Sequence, residues 1–138
     1  MTTETIKDAA TLRAELAHYC GGDQPYKHSL NRKFCYTEGV RHFARNAGNQ
    51  GAYWFLDILA FEPRVKQLVM VEGFALVLLS VSSDNSATIE VKADSDEAPT
   101  YSQSLEYTDC PEGEWKFYIE PTYVGADLVT MMMLPQER

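Results

Sequence analysis

Apolar residues recur at helical spacing in the first half of the chain and alternate with polar residues in the second half. Over residues 8–20, Leu12, Leu16 and Tyr19 lie on one helical face, with charged residues between them. The pair Gly21-Gly22 then provides a natural stop. This pattern predicts an amphipathic first helix.

A second helix is predicted between Thr37, a typical N-cap residue, and Gly48, a typical stop. Its apolar face consists of Val40, Phe43, Ala44 and Ala47. Residues 23–36 precede it and show no sustained period, so they are predicted as an ordered loop anchored by aromatic side chains.

A third helix is predicted from Gly51 to Phe61, where the segment is apolar almost all round. Such a helix is expected to be buried on most sides. Pro63 is expected to end it or to lie just beyond it.

After residue 70 the period changes from helical to alternating, and turn residues recur at short intervals. The predicted strands are residues 74–82, 87–93, 101–107, 115–119 and 128–134. Asp84-Asn85 joins the first two as a hairpin. The whole chain, residues 1–138, is therefore predicted as one α+β domain in which about three N-terminal helices pack on a C-terminal antiparallel sheet of about five strands.

The composition and the N-terminal sequence indicate where in the cell the protein is expected. The chain has 138 residues, of which 45% are apolar, enough for one core. No apolar run approaches the roughly 20 residues that a membrane span needs, and the N-terminus lacks the pattern of a secretory signal. Three cysteines at irregular spacing are typical of reduced thiols. We expect a cytoplasmic protein without a membrane partner.

The net charge of −8 is unevenly divided along the chain. Residues 24–50 carry five bases and one acid, whereas residues 69–138 carry three bases and thirteen acids. The basic residues form what we call the basic island: Lys27, Arg32, Lys33, Arg41 and Arg45. Charge runs are usually solvated surface, and the alternative is a polarised face that binds a partner protein.

The basic island also contains aromatic residues, a mixture that single-stranded nucleic acid prefers. Nucleic-acid binding through residues 26–45 is thus an alternative. The acidic second half disfavours a broad footprint on phosphates, so a nucleic-acid partner is not the leading expectation.

Motifs for nucleotide binding, serine hydrolases and zinc proteases are absent from the sequence. Cys20, His28, Cys35 and His42 follow one another at intervals of seven or eight residues, a weak pattern for a metal site because closed zinc sites usually draw two ligands from one tight turn. The same residues include a candidate Cys/His nucleophilic pair. No metal or cofactor is favoured, and no catalytic residue is assigned.

Tyr53 and Asp57 are the polar residues of the apolar third helix, and their spacing puts them on one stripe. A buried carboxylate needs a partner. Asp57 is expected to cap a neighbouring loop or to pair with an arginine such as Arg41 or Arg45; the alternative is an acid that faces a ligand.

Several short motifs agree in order and spacing with a known family: residues 36–40 (YTEGV), 51–57 (GAYWFLD), 107–111 (YTDCP) and 133–135 (MLP). The chain resembles domain-of-unknown-function family 6876, an uncharacterised bacterial and phage family of small single-domain proteins. The resemblance implies a setting on a mobile element and carries over no catalytic residue. Asp57 and Asp109 lie beside the aromatic residues of segments 51–57 and 107–111. Together with Tyr53, they are expected to form a small pocket between helix and sheet.

The sequence thus leaves the biochemical activity unknown. Our leading hypothesis is a small protein-interaction module that uses the basic island or the acidic sheet. The alternatives are a small-molecule or metal-dependent enzyme with a pocket near Asp57, and a single-stranded nucleic-acid binder. Homo-oligomerisation stays open.

Overall fold

The computed structural model describes residues 8–19, 25–48 and 51–138. Within them, helices and one seven-stranded sheet form a mixed α+β domain, which confirms the predicted class. The sheet order is β1-β2-β7-β6-β3-β4-β5. The elements in chain order are α1 (Ala9–Leu16), β1 (Tyr26–Lys27), β2 (Phe34–Tyr36), α2 (Glu38–Asn46), α3 (Tyr53–Phe61), α4 (Pro63–Glu72), β3 (Ala75–Val81), β4 (Ala87–Lys92), β5 (Tyr101–Leu105), β6 (Gly113–Val124), β7 (Asp127–Met133) and a 3₁₀ turn (Pro135–Glu137).

The five predicted strands correspond to β3 to β7, and two further strands lie in the segment predicted as a loop. All three residues of β2 are buried, so the segment shows no alternation. The reason is that both faces of the strand are covered: Phe34 and Tyr36 belong to the main core, and Cys35 belongs to a smaller apolar cluster on the other face of the sheet. Because β2 pairs with β7 in parallel, the expectation of a purely antiparallel sheet was wrong.

The described residues also contain a fourth helix that the sequence analysis missed. Pro63 lies just beyond the end of α3, as expected, and it also begins α4, because the first helical position needs no backbone N–H donor. The Glu62 carboxylate accepts a hydrogen bond from the backbone N–H of Arg64 at 3.2 Å, and Gly73 in the left-handed conformation ends the helix.

The helix α3 is less enclosed than its composition predicts. Phe55, Leu56 and Leu59 are buried, but Tyr53 and Phe61 are 40% and 54% exposed. Burial on most sides is therefore confirmed in part, because Trp54, Ile58 and Ala60 also pack against the core. One face of α3 packs into the core, and the segment between β1 and β2 covers the opposite face only in part.

The main core lies between the helices and one face of the sheet. Its centre is a group of aromatic rings in which Phe43 packs against Phe117 at 5.0 Å and against Trp115 at 5.3 Å. A smaller cluster of Cys35, Val129, Met131 and Met133 lies on the other face of the sheet. In the described parts of the chain, no helix has the length and apolar character needed to cross a membrane.

Candidate functional site

The basic island lies around one edge of the sheet. Tyr26 and Tyr36 are direct partners across β1 and β2, so their rings stack on the helix side of the sheet, 5.9 Å apart. Lys27 is paired with Cys35, and both therefore point to the other side. Charges from Lys27 and Arg32 act on Cys35. The island thus wraps around the β1 edge instead of forming one flat face.

On the helix side of this edge, α2 borders a cavity of about 370 Å³ that we call the α2 cavity. Its polar lining comes from α2 residues at helical spacing and from two neighbouring rings: Glu38, Arg41, His42, Arg45 and Asn46, with Tyr19 and Tyr26. Residues three and four positions apart lie on the same helix face, which explains why these five α2 side chains meet.

Arg41 is held in place at the wall of the α2 cavity. Its Nη1 donates a hydrogen bond to the Tyr26 hydroxyl oxygen at 3.1 Å, and its guanidinium carbon lies 4.5 Å from the centre of that ring. Arg45 is exposed and forms no ion pair with any residue that the structure describes. Arg41 is therefore preorganised, and Arg45 is available to a ligand.

His42 completes the cavity wall and connects α2 to α1. Its Nε2 lies 2.8 Å from Glu15 Oε1, and its Nδ1 lies 3.3 Å from the Tyr19 hydroxyl. An ionised carboxylate only accepts hydrogen bonds, so Nε2 carries the proton and Nδ1 accepts from Tyr19. Both ring nitrogens have partners within the chain, and the imidazole orients Tyr19 toward the cavity.

His28 and Asp57 form a second histidine–carboxylate pair, away from the α2 cavity. His28 is buried, and its Nε2 lies 2.7 Å from Asp57 Oδ1. The backbone N–H groups of Leu30 and Asn31 donate to Nδ1 at 3.1 and 3.0 Å, so the proton is on Nε2. Asp57 thus pairs with this histidine, and neither Arg41 nor Arg45 is its partner.

The pair fastens the β1–β2 turn to the third helix. Asn31 Nδ2 also donates to the carbonyl of Ala60 at 2.7 Å, and the ring of Phe61 meets His28 edge-on at 5.3 Å. A carbonyl near the end of α3 is thereby satisfied by the turn. The geometry is that of a docking contact between hairpin and helix.

The three residues predicted to share a pocket lie in two places. Tyr53 contacts Tyr36 and Asp57 contacts His28, so both face the β1–β2 hairpin. Asp109 instead lines a separate cavity of about 430 Å³ between α3 and the segment after β5. We call this cavity the aromatic cleft; its other walls are Gly51, Trp54, Leu105, Tyr107 and Thr108.

The two described thiols are poorly suited to nucleophilic chemistry. Burial raises the pKa of Cys110 to about 12, with the Asp109 charge adding to the effect, and burial also raises the pKa of Cys35. Both are free and buried. Cys20 lies outside the described residues.

The described residues of the weak metal-binding pattern also lie far apart in the structure. His28 lies against α3, His42 lies against α1, and Cys35 belongs to the cluster on the opposite face of the sheet. Over residues 8–19, 25–48 and 51–138, no three histidine, cysteine, aspartate or glutamate side chains converge.

Sequence reasoning missed the rings that line the α2 cavity. Tyr19 and Tyr26 reach the α2 cavity through tertiary packing, which no local spacing reveals. The Glu38, Arg41, His42 and Arg45 stripe was visible as an i, i+3, i+4, i+7 pattern of polar residues opposite the apolar face of α2.

Comparison with known proteins gives a family but no activity. The sequence model of a family of unknown function matches residues 10–138. No curated protein and no solved structure matches the chain. The motif segments 51–57 and 107–111 are far apart in sequence, and both contribute to the aromatic cleft.

Proposed function

The chain belongs to the DUF6876 family, whose function is unknown, and from the geometry of its own side chains we propose that it is a cytoplasmic binding module that recognises an acidic segment of a partner protein. The α2 cavity is the proposed recognition site. The buried free thiols Cys35 and Cys110 support a reducing compartment.

The observation that carries this proposal is the arrangement of Arg41 and Arg45 beside two tyrosines. A guanidinium presents several N–H donors in a planar fork that matches a carboxylate. Arg41 is already ordered by Tyr26, so binding would cost it little side-chain entropy. Arg45 supplies further donors at the same cavity.

The sheet order favours one orientation of an acidic partner. Strand β1, beside the basic island, and strand β5 lie at opposite edges of the sheet. The acidic loop of Asp94, Asp96 and Glu97 lies between β4 and β5 and is exposed. An acidic segment is repelled from that edge and attracted to the β1 edge, which steers its approach.

Nucleic-acid binding through residues 26–45 has weaker support. Bases stack on exposed rings in such sites, but Phe34 and Tyr36 are buried, and Tyr26 is covered by Arg41. The enzyme alternative near Asp57 also has weaker support, because His28 uses both ring nitrogens in contacts within the chain.

The proposal can be tested by selecting peptides from a random displayed library on the full chain. We expect selected peptides to be enriched in Asp and Glu, and to lose affinity for Arg45→Glu. Lys66→Glu is the matched control, since Lys66 is an exposed base on α4 away from the cavity. Selected peptides that lack acidic residues, or that bind Arg45→Glu as well as the unchanged chain, would overturn the proposal.

A further inference from the structure

The aromatic cleft presents two rings and a carboxylate to solvent. Tyr107 is 69% exposed, and Trp54 is half-buried on α3. Asp109 and Leu105 complete the walls around the two rings. An exposed aromatic residue beside a second ring in a concave site is the usual composition of a recognition pocket.

Four arginines of this protein lie over aromatic rings of the chain itself. Guanidinium carbons lie over rings at distances of 4.1 to 5.0 Å in the pairs Arg13–Trp115, Arg41–Tyr26, Arg64–Tyr101 and Arg138–Phe74. Among the described residues, no guanidinium lies over Trp54 or Tyr107. Within the described residues, the two rings of the cleft therefore lack the arginine neighbour that those four rings have.

The charge around the cleft favours a cation. Asp109 contributes a carboxylate to the wall, and Glu106 is exposed on the same segment. Asp109 is held close to the turn at Gly48, whose positive φ of 95° places the backbone against the carboxylate. The acid therefore lies between the Gly48 turn and the rings of the cleft.

We propose that the aromatic cleft binds an arginine side chain of a partner protein. A planar guanidinium stacks on the faces of Trp54 or Tyr107 and at the same time donates hydrogen bonds to the Asp109 carboxylate. A lysine ammonium is a more strongly hydrated point charge and matches the stacked geometry less well. The second half of the chain, with thirteen acids and three bases, adds long-range attraction for a basic partner segment.

The indole N–H signals of the full chain report directly on this site. The chain has two tryptophans, and the Trp115 indole donates to the carbonyl of Pro111 at 2.9 Å inside the core. Trp115 is therefore an internal reference. We would titrate the protein with N-acetyl-arginine amide, and with the citrulline analogue, which keeps the shape of arginine without its charge.

The expected result is a saturable shift of the Trp54 signal with the arginine probe, a stationary Trp115 signal, and no saturable shift with citrulline. Tyr107→Ala should weaken arginine binding by about threefold to tenfold. Tyr123→Ala is the matched control, because Tyr123 is also 69% exposed but lies on β6 outside the cleft. Arg45→Glu should leave arginine binding unchanged, which separates this test from that of the α2 cavity.

Three results would overturn the inference. They are equal shifts with citrulline and arginine, unchanged binding by Tyr107→Ala, and equal losses in Tyr107→Ala and Tyr123→Ala. Asp109→Asn provides a second variant, with the Trp115 signal as the check on its fold; unchanged arginine affinity in it would remove the carboxylate from the site. Self-association that Tyr107→Ala abolishes in sedimentation would assign the cleft to a second copy of this chain and contradict a different partner.

Discussion

The Glu137 carboxylate caps α2 by accepting a hydrogen bond from the backbone N–H of Gly39 at 3.0 Å, across 98 positions of sequence. Its other oxygen accepts from the backbone N–H of Leu134 at 2.9 Å and from the Thr37 hydroxyl. A Cβ at position 39 would lie 2.7 Å from that oxygen, so the close approach requires glycine. The chain end thus fixes the start of the helix that carries the α2 cavity.

Removing this cap should destabilise the domain. We expect Glu137→Ala to lower the free energy of unfolding by about 1–3 kcal/mol, because it leaves the backbone N–H groups of Gly39 and Leu134 without their acceptor and removes a negative charge from the N-terminus of α2. Urea unfolding measures the change. Glu112→Ala, at an exposed acid in the loop before β6, is the control and should change stability little. Equal stability of the two variants would contradict a capping role.

Gly39→Ala should also destabilise, by a different route. The added methyl group meets the side chains of Leu134 and Glu137, so one of them must move and the cap is strained. We expect a loss of about 1–3 kcal/mol in unfolding free energy. In a Glu137→Ala background the loss should shrink, because the carboxylate that the methyl group meets is gone. A loss of the same size in both backgrounds would show that the contact with Glu137 is not its cause.

His28 and Asp57 should be energetically coupled. We expect a double-mutant cycle with His28→Gln and Asp57→Asn to give a coupling energy of about 1 kcal/mol, modest because the Asp57 side chain is 58% exposed. His28→Gln should be the more destabilising single change, because His28 is buried and also accepts from two backbone N–H groups. Strictly additive effects in urea unfolding would show that the 2.7 Å contact adds no stability.

The buried thiol of Cys110 should make the domain less stable at high pH. Its pKa is raised from the usual 9.0 to about 12, so between these values the unfolded state loses a proton that the folded state keeps. The contribution of this thiol to the free energy of unfolding should therefore be constant below pH 9. Above pH 9, the free energy of unfolding should fall by up to about 1.4 kcal/mol per pH unit. Burial acts in the same direction on Tyr36 and Tyr101.

The Cys110→Ala variant isolates the thiol in this pH dependence. Loss of the buried thiol also removes packing, which lowers the free energy of unfolding at every pH. The quantity to compare is therefore the slope of that free energy against pH between pH 8.5 and 10.5, measured by urea unfolding with reductant present. We expect a shallower slope in the variant. The same slope in both proteins would mean that the Cys110 thiol ionises as readily in the folded state as in the unfolded state.

Local pattern predicted most of the fold, and tertiary context decided the rest. The capping residue Thr37 and the alternation in the later strands are local signals, and both were interpreted correctly. Strand β2 was missed because it is three residues long and buried on both faces, which removes the period of two. Helix α4 was missed because proline starts a helix as readily as it ends one.

The candidate site was less predictable than the fold. The sequence marks Arg41 and Arg45 as basic, but it does not show that Tyr26 lies under Arg41, because that contact depends on the pairing of β1 with β2. Asp57 was correctly expected to need a partner, and the partner is a histidine 29 positions away. Nothing in the local spacing brings Trp54 and Tyr107 together across the domain.

The central claim, that the α2 cavity recognises acidic protein segments, is tested most directly by fluorescence anisotropy with a labelled peptide taken from the proposed selection. Affinities would be compared for the unchanged chain, Arg45→Glu and Lys66→Glu, at low and physiological salt. We predict at least about tenfold weaker binding by Arg45→Glu, binding by Lys66→Glu that is unchanged, and affinity that falls as salt rises. Equal loss of peptide affinity in Arg45→Glu and Lys66→Glu, or no loss in Arg45→Glu, would contradict recognition at this cavity.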